Sequence, residues 1–273
     1  MSREAFELIT LRHGARAVRH RPSGEVMHPS VGPWQEANLL YVDQGRLLER
    51  LAQASREPVR IWDVGLGAAT NALAALTAAA SESTRRRPLH VVSFERDLTP
   101  LRLARDDPEN GFPYLAPWHE AVDAILKKGR WSGGDLAWDL RLGELPGTLD
   151  RDAGPAELVF FDPFSPETNP KLWTPGTLGR LREAAVHPER GTVLLTYSAA
   201  TPTRVSLLMA GYYVGTGVAV GTKKETTVAA TRPELLDDPL RERWLARWKR
   251  STARAPHGSD VVPELTSHPQ FSG

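Results

Sequence analysis

Four short stretches of the 273-residue sequence carry side chains arranged for chemistry. Asp63-Val64-Gly65-Leu66-Gly67 closes an apolar run. Its glycines permit a tight turn and close approach of a ligand to the backbone, and a helix opening just after it offers unpaired N–H groups. A dinucleotide fingerprint would need glycine at position 70, which is Thr70, and the D-x-G-x-G-x-G pattern would need it at Ala69. Glu95 ends a second apolar run, where a carboxylate can accept hydrogen bonds from both ribose hydroxyls of an adenosine. Glu144 follows Gly143 at the end of a third run, within reach of an adenine amino group. Asp162 ends a fourth and leads into Pro163-Phe164-Ser165-Pro166, so a carboxylate is delivered on a proline-stiffened loop. There it can orient a nucleophile or receive its proton. Each feature alone also fits an ordinary turn or surface acid. The glycine turn, Glu95 and Glu144 at the ends of three successive strands point together to an adenosine ligand.

These residues need an open sheet to bring them to one edge. Val59–Val64, Leu89–Phe94, Leu136–Leu142, Leu158–Phe161 and Gly191–Tyr197 read as strands. Helical patterns over Thr70–Ala80, Leu115–Leu126, Thr174–Ala185 and Pro202–Met209 alternate with them. That alternation predicts an α/β fold with a mainly parallel sheet and helices on both faces. Tyr212–Val220 and Glu225–Ala230, joined through Gly221-Thr222, predict an antiparallel terminal strand pair. Ahead of the sheet, Glu7–Met27 reads as a hairpin with Pro22-Ser23-Gly24 as its turn signal, and His28–Pro33 as a loop. Leu39, Leu40, Val42, Leu47, Leu48 and Leu51 predict one helix from Trp34 to about Ala54, weak at Gly45. The organisation expected is a small β/α extension over 1–56, a main domain over 57–232, and a 233–273 tail. The tail holds an amphipathic helix over Leu240–Arg250 and a polar, Pro-rich end expected to be disordered.

Composition narrows the function classes. No cysteine is present, which excludes disulfides, thiolate metal sites and a cysteine nucleophile. The eight histidines have no ligand-like spacing, so no metal is expected. The start of the chain lacks the apolar core of a secretory signal, and no run approaches the ~20 apolar residues that cross a bilayer, so a soluble cytoplasmic protein without membrane contact is expected. With 34 basic and 33 acidic residues, the net charge of +1 gives no bulk attraction to nucleic acid. Basic clusters at Arg12–Arg21, Arg85–Arg87 and Arg241–Arg254 read individually as solvated faces.

The run Asp162–Trp173 resembles the D-A-F-S-P-x-x-N-P-x-L-W signature of the MnmC-like methyltransferases, with Pro163 in place of alanine. The likeness extends to Gly24-Glu25-x-x-His28, Trp34-Gln35-Glu36-Ala37, the glycine turn with Asn71, Gly191–Ala200, Gly211-Tyr212 and Gly221–Thr226, spanning about Leu11 to Ala230. The resemblance implies a Rossmann-like class I fold, S-adenosyl-L-methionine (SAM) as methyl donor, and the aminomethyl group of a tRNA wobble uridine as acceptor. A separate oxidase could supply that acceptor. On this reading Asp63, Gly65, Gly67, Asn71, Glu95, Glu144 and Asp162 serve the cofactor, with Asp162 also catalytic. His28, Glu36, Phe164, Asn169, Trp173, Lys223 and Lys224 serve the substrate; for Trp173, core packing is an equal expectation. A SAM enzyme or aminopropyltransferase acting on a small-molecule amine, or a binding module without catalysis, are the alternatives left open.

Overall fold

In the computed structural model, residues 5–11, 14–27, 32–149, 151–221 and 223–272 are described. Strand β1 (Phe6–Thr10) pairs antiparallel with β2 (Arg16–His20) in a separate two-stranded ribbon. The Pro22–Gly24 turn does not join the two strands. It returns the chain so that Val26 bridges Arg19 and adds to the ribbon's edge.

The segment expected as one helix is broken into α1 (Pro33–Ala37), a π-helical turn (Asn38–Asp43) and α2 (Leu47–Ala52). Gly45 packs on the Tyr41 carbonyl, and Arg46 adopts a left-handed φ of 50° that no helix continues through.

The main sheet has eight strands: β3 (Val59–Val64), β4 (Leu89–Glu95), β5 (Arg130–Gly133), β6 (Leu136–Leu142), β7 (Leu158–Phe161), β8 (Val193–Thr196), β9 (Tyr213–Gly217) and β10 (Thr226–Ala230). Their order is β5-β6-β4-β3-β7-β8-β10-β9. From β6 to β8 the pairing is parallel; β10 runs antiparallel to β8 and β9, and β5 antiparallel to β6. After β3 the chain builds outward through β4 and β6, then returns to β7 on the other side of β3. That reversal opens a crevice at the carboxyl end of β3, where open α/β sheets bind ligands.

The crossovers are α3 (Thr70–Ser81), α4 (Thr99–Arg105), α5 (His119–Lys128), α6 (Pro175–Ala185) and α7 (Thr201–Met209). Alternation along the buried strands feeds two cores. Ile61, Leu73, Leu40 and Tyr41 pack on one face; Trp62, Phe161, Leu178 and Leu207 pack on the other. The first core is shared by the 1–56 extension and the sheet, with Tyr41 packed against Phe160 of β7.

Two elements escape the sequence pattern. Helix α4 opens on Pro100, which a first helical turn tolerates, and buries Leu101 and Ala104. Strand β5 is short, polar and exposed, as edge strands are.

The tail corrects an expectation. Helix α8 (Glu242–Lys249) buries Trp244, Leu245 and Trp248, and the segment beyond it is packed rather than disordered. Leu265 is buried, Phe271 stacks on Trp244, and Gln270 bonds both backbone polar groups of Val214 on edge strand β9. A few apolar anchors and one amide closing an open sheet edge hold a segment whose average composition is polar.

Candidate active site

The crevice contains a cleft of about 690 Å³, within the size range of small-molecule and cofactor sites. Gly65 forms its floor at φ 93°. A Cβ there would lie 2.6 Å from the Asp162 carbonyl oxygen. The β7 loop therefore rests directly on the glycine turn, and the Asp162 N–H donates to the Val64 carbonyl at 2.9 Å. Gly67, at φ 53°, faces Met27 across the cleft. Ala69, where the sequence lacks the third glycine, adopts a φ of 64° at the start of α3. The glycine-favouring conformation survives the substitution, at a cost of roughly 1 kcal/mol.

Glu95 is held by three backbone N–H groups: Gly67 at 3.2 Å, Arg96 at 2.7 Å and Asp97 at 3.0 Å. Burial pushes its pKa up, and these three bonds pull against that shift. A carboxylate has about four acceptor sites, so three backbone bonds fix its orientation and leave capacity for a ligand hydroxyl. Glu144 stands at the outer rim, largely exposed.

Asp162 accepts a hydrogen bond from Asn71 Nδ2 at 2.7 Å. Around it stand Glu36, Tyr197 and Lys223, all lining the cleft. Tyr197 donates to the Pro163 carbonyl at 3.3 Å, and Lys223 Nζ lies 4.2 Å from the Tyr197 ring centroid. Burial lowers the Lys223 pKa, while Glu36 and Asp162 oppose that. The buried Tyr41 phenol is pushed well up by burial and then by the charges of Asp162 and Glu36. Acidic charge thus converges beside an aromatic ring, a setting suited to an amine.

The N-terminal ribbon roofs this corner. Both Glu25 carboxylate oxygens accept from Ser165, one from its N–H at 2.8 Å and one from its hydroxyl at 2.9 Å. Phe164, Phe6 and His20 form a three-ring cluster, Phe164 lying 6.3 Å from Phe6 and 5.3 Å from His20 between ring centroids.

Gly65, Gly67, Glu95, Glu144, Asp162, Glu36, Phe164, Asn169 and Lys223 therefore share one cleft. Two other sequence expectations, Asp63 and Asn71 as cofactor ligands, are corrected. Asp63 is wholly buried in the sheet and accepts from Ser93 at 2.7 Å, out of the cleft lining. Asn71 is buried and serves Asp162. Trp173 is core: it packs edge-on against Phe161 and donates to the Phe164 carbonyl, so it shapes the loop from beneath. Lys224 is exposed outside the cleft lining, a position open to an RNA backbone. His28 lies outside the described residues. Sequence reasoning assigned no role to Glu25, Tyr41 or Tyr197. Glu25 stood within the family-like Gly24-Glu25 pair, which was its only signal.

Asp63 carries a pH prediction. Burial, with Asp162 and Glu95 nearby, raises its pKa to about 8, against the Ser93 hydrogen bond. Between the ordinary carboxylate value and about 8, the folded state holds a proton that the unfolded state has lost. Stability therefore falls as pH rises across that window. Asp63→Asn keeps an acceptor for Ser93 and removes the titration. Its melting temperature is expected to gain on wild type by several degrees between pH 5 and pH 8. Parallel melting curves across that range would refute the assignment.

Residues 116–232 match the family described as S-adenosyl-L-methionine-dependent methyltransferase. Over 229 residues, 82% of this chain, the sequence is 31% identical to the tRNA 5-methylaminomethyl-2-thiouridine biosynthesis bifunctional protein MnmC of Methylibium petroleiphilum, covering 34% of that protein. The MnmC of Cupriavidus metallidurans is 29% identical over 218 residues, 77% of this chain and 32% of its own. The chain spans about a third of the length of these curated relatives. The crystal structure of MnmC2 from Aquifex aeolicus superposes with a TM-score of 0.72 at 25% identity, covering 95% of this chain and 80% of that one.

Strand order, the glycine turn and the acid that ends β4 define a Rossmann-like class I SAM-dependent methyltransferase. A side-chain-free floor at Gly65 and Gly67 beside the oriented Glu95 carboxylate fits the cofactor. Within that class, the chain is similar to the methyltransferase part of the MnmC proteins, which it matches along most of its own length.

Proposed function

We propose that this enzyme methylates the aminomethyl nitrogen of a wobble uridine in tRNA, giving a secondary amine. The observation that carries this reading is Asp162, pinned by Asn71 and set beside Glu36 and Tyr197 in the shared cleft. The names of the curated relatives support the choice of acceptor.

SAM, when bound, supplies a methyl group activated on a sulfonium sulfur. Gly65, Gly67 and Glu95 would hold it, with Glu144 at the rim. The other duties fall to the chain's own residues. An ammonium has no lone pair, so the acceptor must lose a proton before or during attack. The Asp162 carboxylate accepts a hydrogen bond from the amine, orients its lone pair and takes up that proton, directly or through water. Asn71 prevents Asp162 from swinging away. Such positioning supplies a large part of the barrier reduction in a displacement, roughly 7–11 kcal/mol when geometry is ideal. The Glu25–Ser165 clasp and the Phe6–Phe164–His20 cluster limit water on the acceptor side. Asn169 and Lys223 line the route by which the acceptor enters, and His28 and Lys224 remain proposed RNA contacts. We further propose an oxidase as the source of the aminomethyl acceptor.

The roof over Asp162 also suits a small-molecule amine, and one experiment separates the readings. Labelled SAM and bulk tRNA from cells lacking this protein are incubated with the enzyme, and the nucleosides are then analysed. Label on a wobble uridine aminomethyl group is expected. SAM binding without tRNA labelling would overturn the tRNA reading in favour of a small amine.

A further inference from the structure

Helix α8 puts the Arg241–Arg254 cluster in a place that its sequence alone did not disclose. Trp244, Leu245 and Trp248 face the core. Arg243, Arg247 and Arg250 recur at i, i+4 and i+7, and all three are exposed. They form a stripe about 10 Å long on one helical face. Arg247 reaches Glu225 at 4.0 Å. Glu225 adjoins Lys224, and Lys223 next to it lines the cleft. The stripe therefore continues from the cleft rim.

Glu225 does not neutralise this surface, because the buried Arg204 already claims it at 3.1 Å. Arg204 also donates to Thr227 Oγ1 and the Thr226 carbonyl, so the carboxylate that anchors Arg247 is itself held rigidly. Among the described residues, Arg243 and Arg250 form no ion pair. The helix itself carries a single acid, Glu242, among its arginines, and Glu264 of the tail faces Lys249 rather than the stripe.

We propose that the arginine face of α8 is a phosphate-binding track that holds the RNA backbone while the acceptor base enters the cleft. This rests on the tRNA reading above. Guanidinium forks match phosphate oxygens geometrically. A lipid surface is a poorer occupant, because an interfacial helix needs a free apolar face and that of α8 is spent in the core. The track also shows how a chain of net charge +1 engages a polyanion: the charge is concentrated locally.

The test uses the full chain with Arg243→Ala, Arg247→Ala and Arg250→Ala combined. The KM for tRNA is expected to rise about tenfold at physiological salt, and the slope of log affinity against log salt to weaken by about 2. Expected kcat at saturating tRNA stays within about twofold, with SAM affinity and melting temperature unchanged. The corresponding triple lysine variant should restore the salt slope. Arg56→Ala with Arg86→Ala, exposed charges at the other end of the sheet, should change neither quantity. Unchanged KM and slope in the triple alanine variant, with wild type methylating tRNA, would overturn the track alone. A wild type that binds phosphatidylserine vesicles through these arginines but binds no tRNA would overturn both the track and the tRNA reading.

Discussion

Asp162→Asn is expected to lower kcat by about 10²–10⁴-fold, the range that a positioned proton acceptor contributes. SAM affinity should stay within a few-fold of wild type. The asparagine keeps an oxygen that accepts from Asn71 Nδ2, now at 2.7 Å from the carboxylate, so the loop keeps its anchor. Only the negative charge and proton affinity are lost. Single-turnover rates at saturating tRNA, with calorimetry for SAM, separate the two effects. Near-normal turnover would remove Asp162 from the chemistry. Loss of SAM binding in step with turnover would make it a cofactor ligand instead. Asn71→Ala should reproduce part of the kcat loss without removing the carboxylate, because Asn71 acts through Asp162.

Gly65→Ala has the next largest expected effect, and it reaches the same carboxylate from below. The new methyl group would meet the Asp162 carbonyl oxygen at 2.6 Å and its carbon at 2.9 Å, backbone atoms that no rotamer change can move. The φ of 93° adds strain of its own. Together these should cost about 3 kcal/mol, a fall of roughly 6–12 °C in melting temperature for a chain of this size. Turnover should fall by more than stability explains, because relief of the clash requires the Asp162 loop to lift off β3. Gly179→Ala is the control: it lies within α6 with nothing within 4 Å of the added methyl, so melting should hold or rise by up to about 1 kcal/mol of stability. Equal behaviour of the two variants would show that the loop does not rest on the turn as described.

Both predictions concern Asp162, where the β7 loop meets the end of β3, and that junction separates what was legible in the sequence from what was not. The alternating strands were legible because their buried residues form apolar runs, such as Leu158–Phe161 and Val193–Leu195. The strand-end acids Glu95 and Asp162 were legible because a charged residue closing such a run must emerge at the sheet's edge. Composition hid the ordered tail. Leu265, Gln270 and Phe271 do their work through contacts with β9 and α8 that no local average contains. The broken 34–54 helix was half visible at Gly45; the break itself is the left-handed backbone of Arg46.

Within the site, the sequence by itself determined the residue types: a glycine turn, three acids and a stiff aromatic loop, with a signature that named the family. It could not distribute their roles. Asp63 and Asn71 read as cofactor ligands because they flank the glycine turn, yet strand pleat and helix phase turn one onto Ser93 and the other onto Asp162. Trp173 read equally as a pocket wall and as core, and it points into the core beneath Phe164. Glu25 and Ser165, 140 residues apart, meet only because the ribbon folds over the crevice. Which face a side chain takes, and which distant segment covers it, depends on contacts between elements, and the tertiary structure alone decides those.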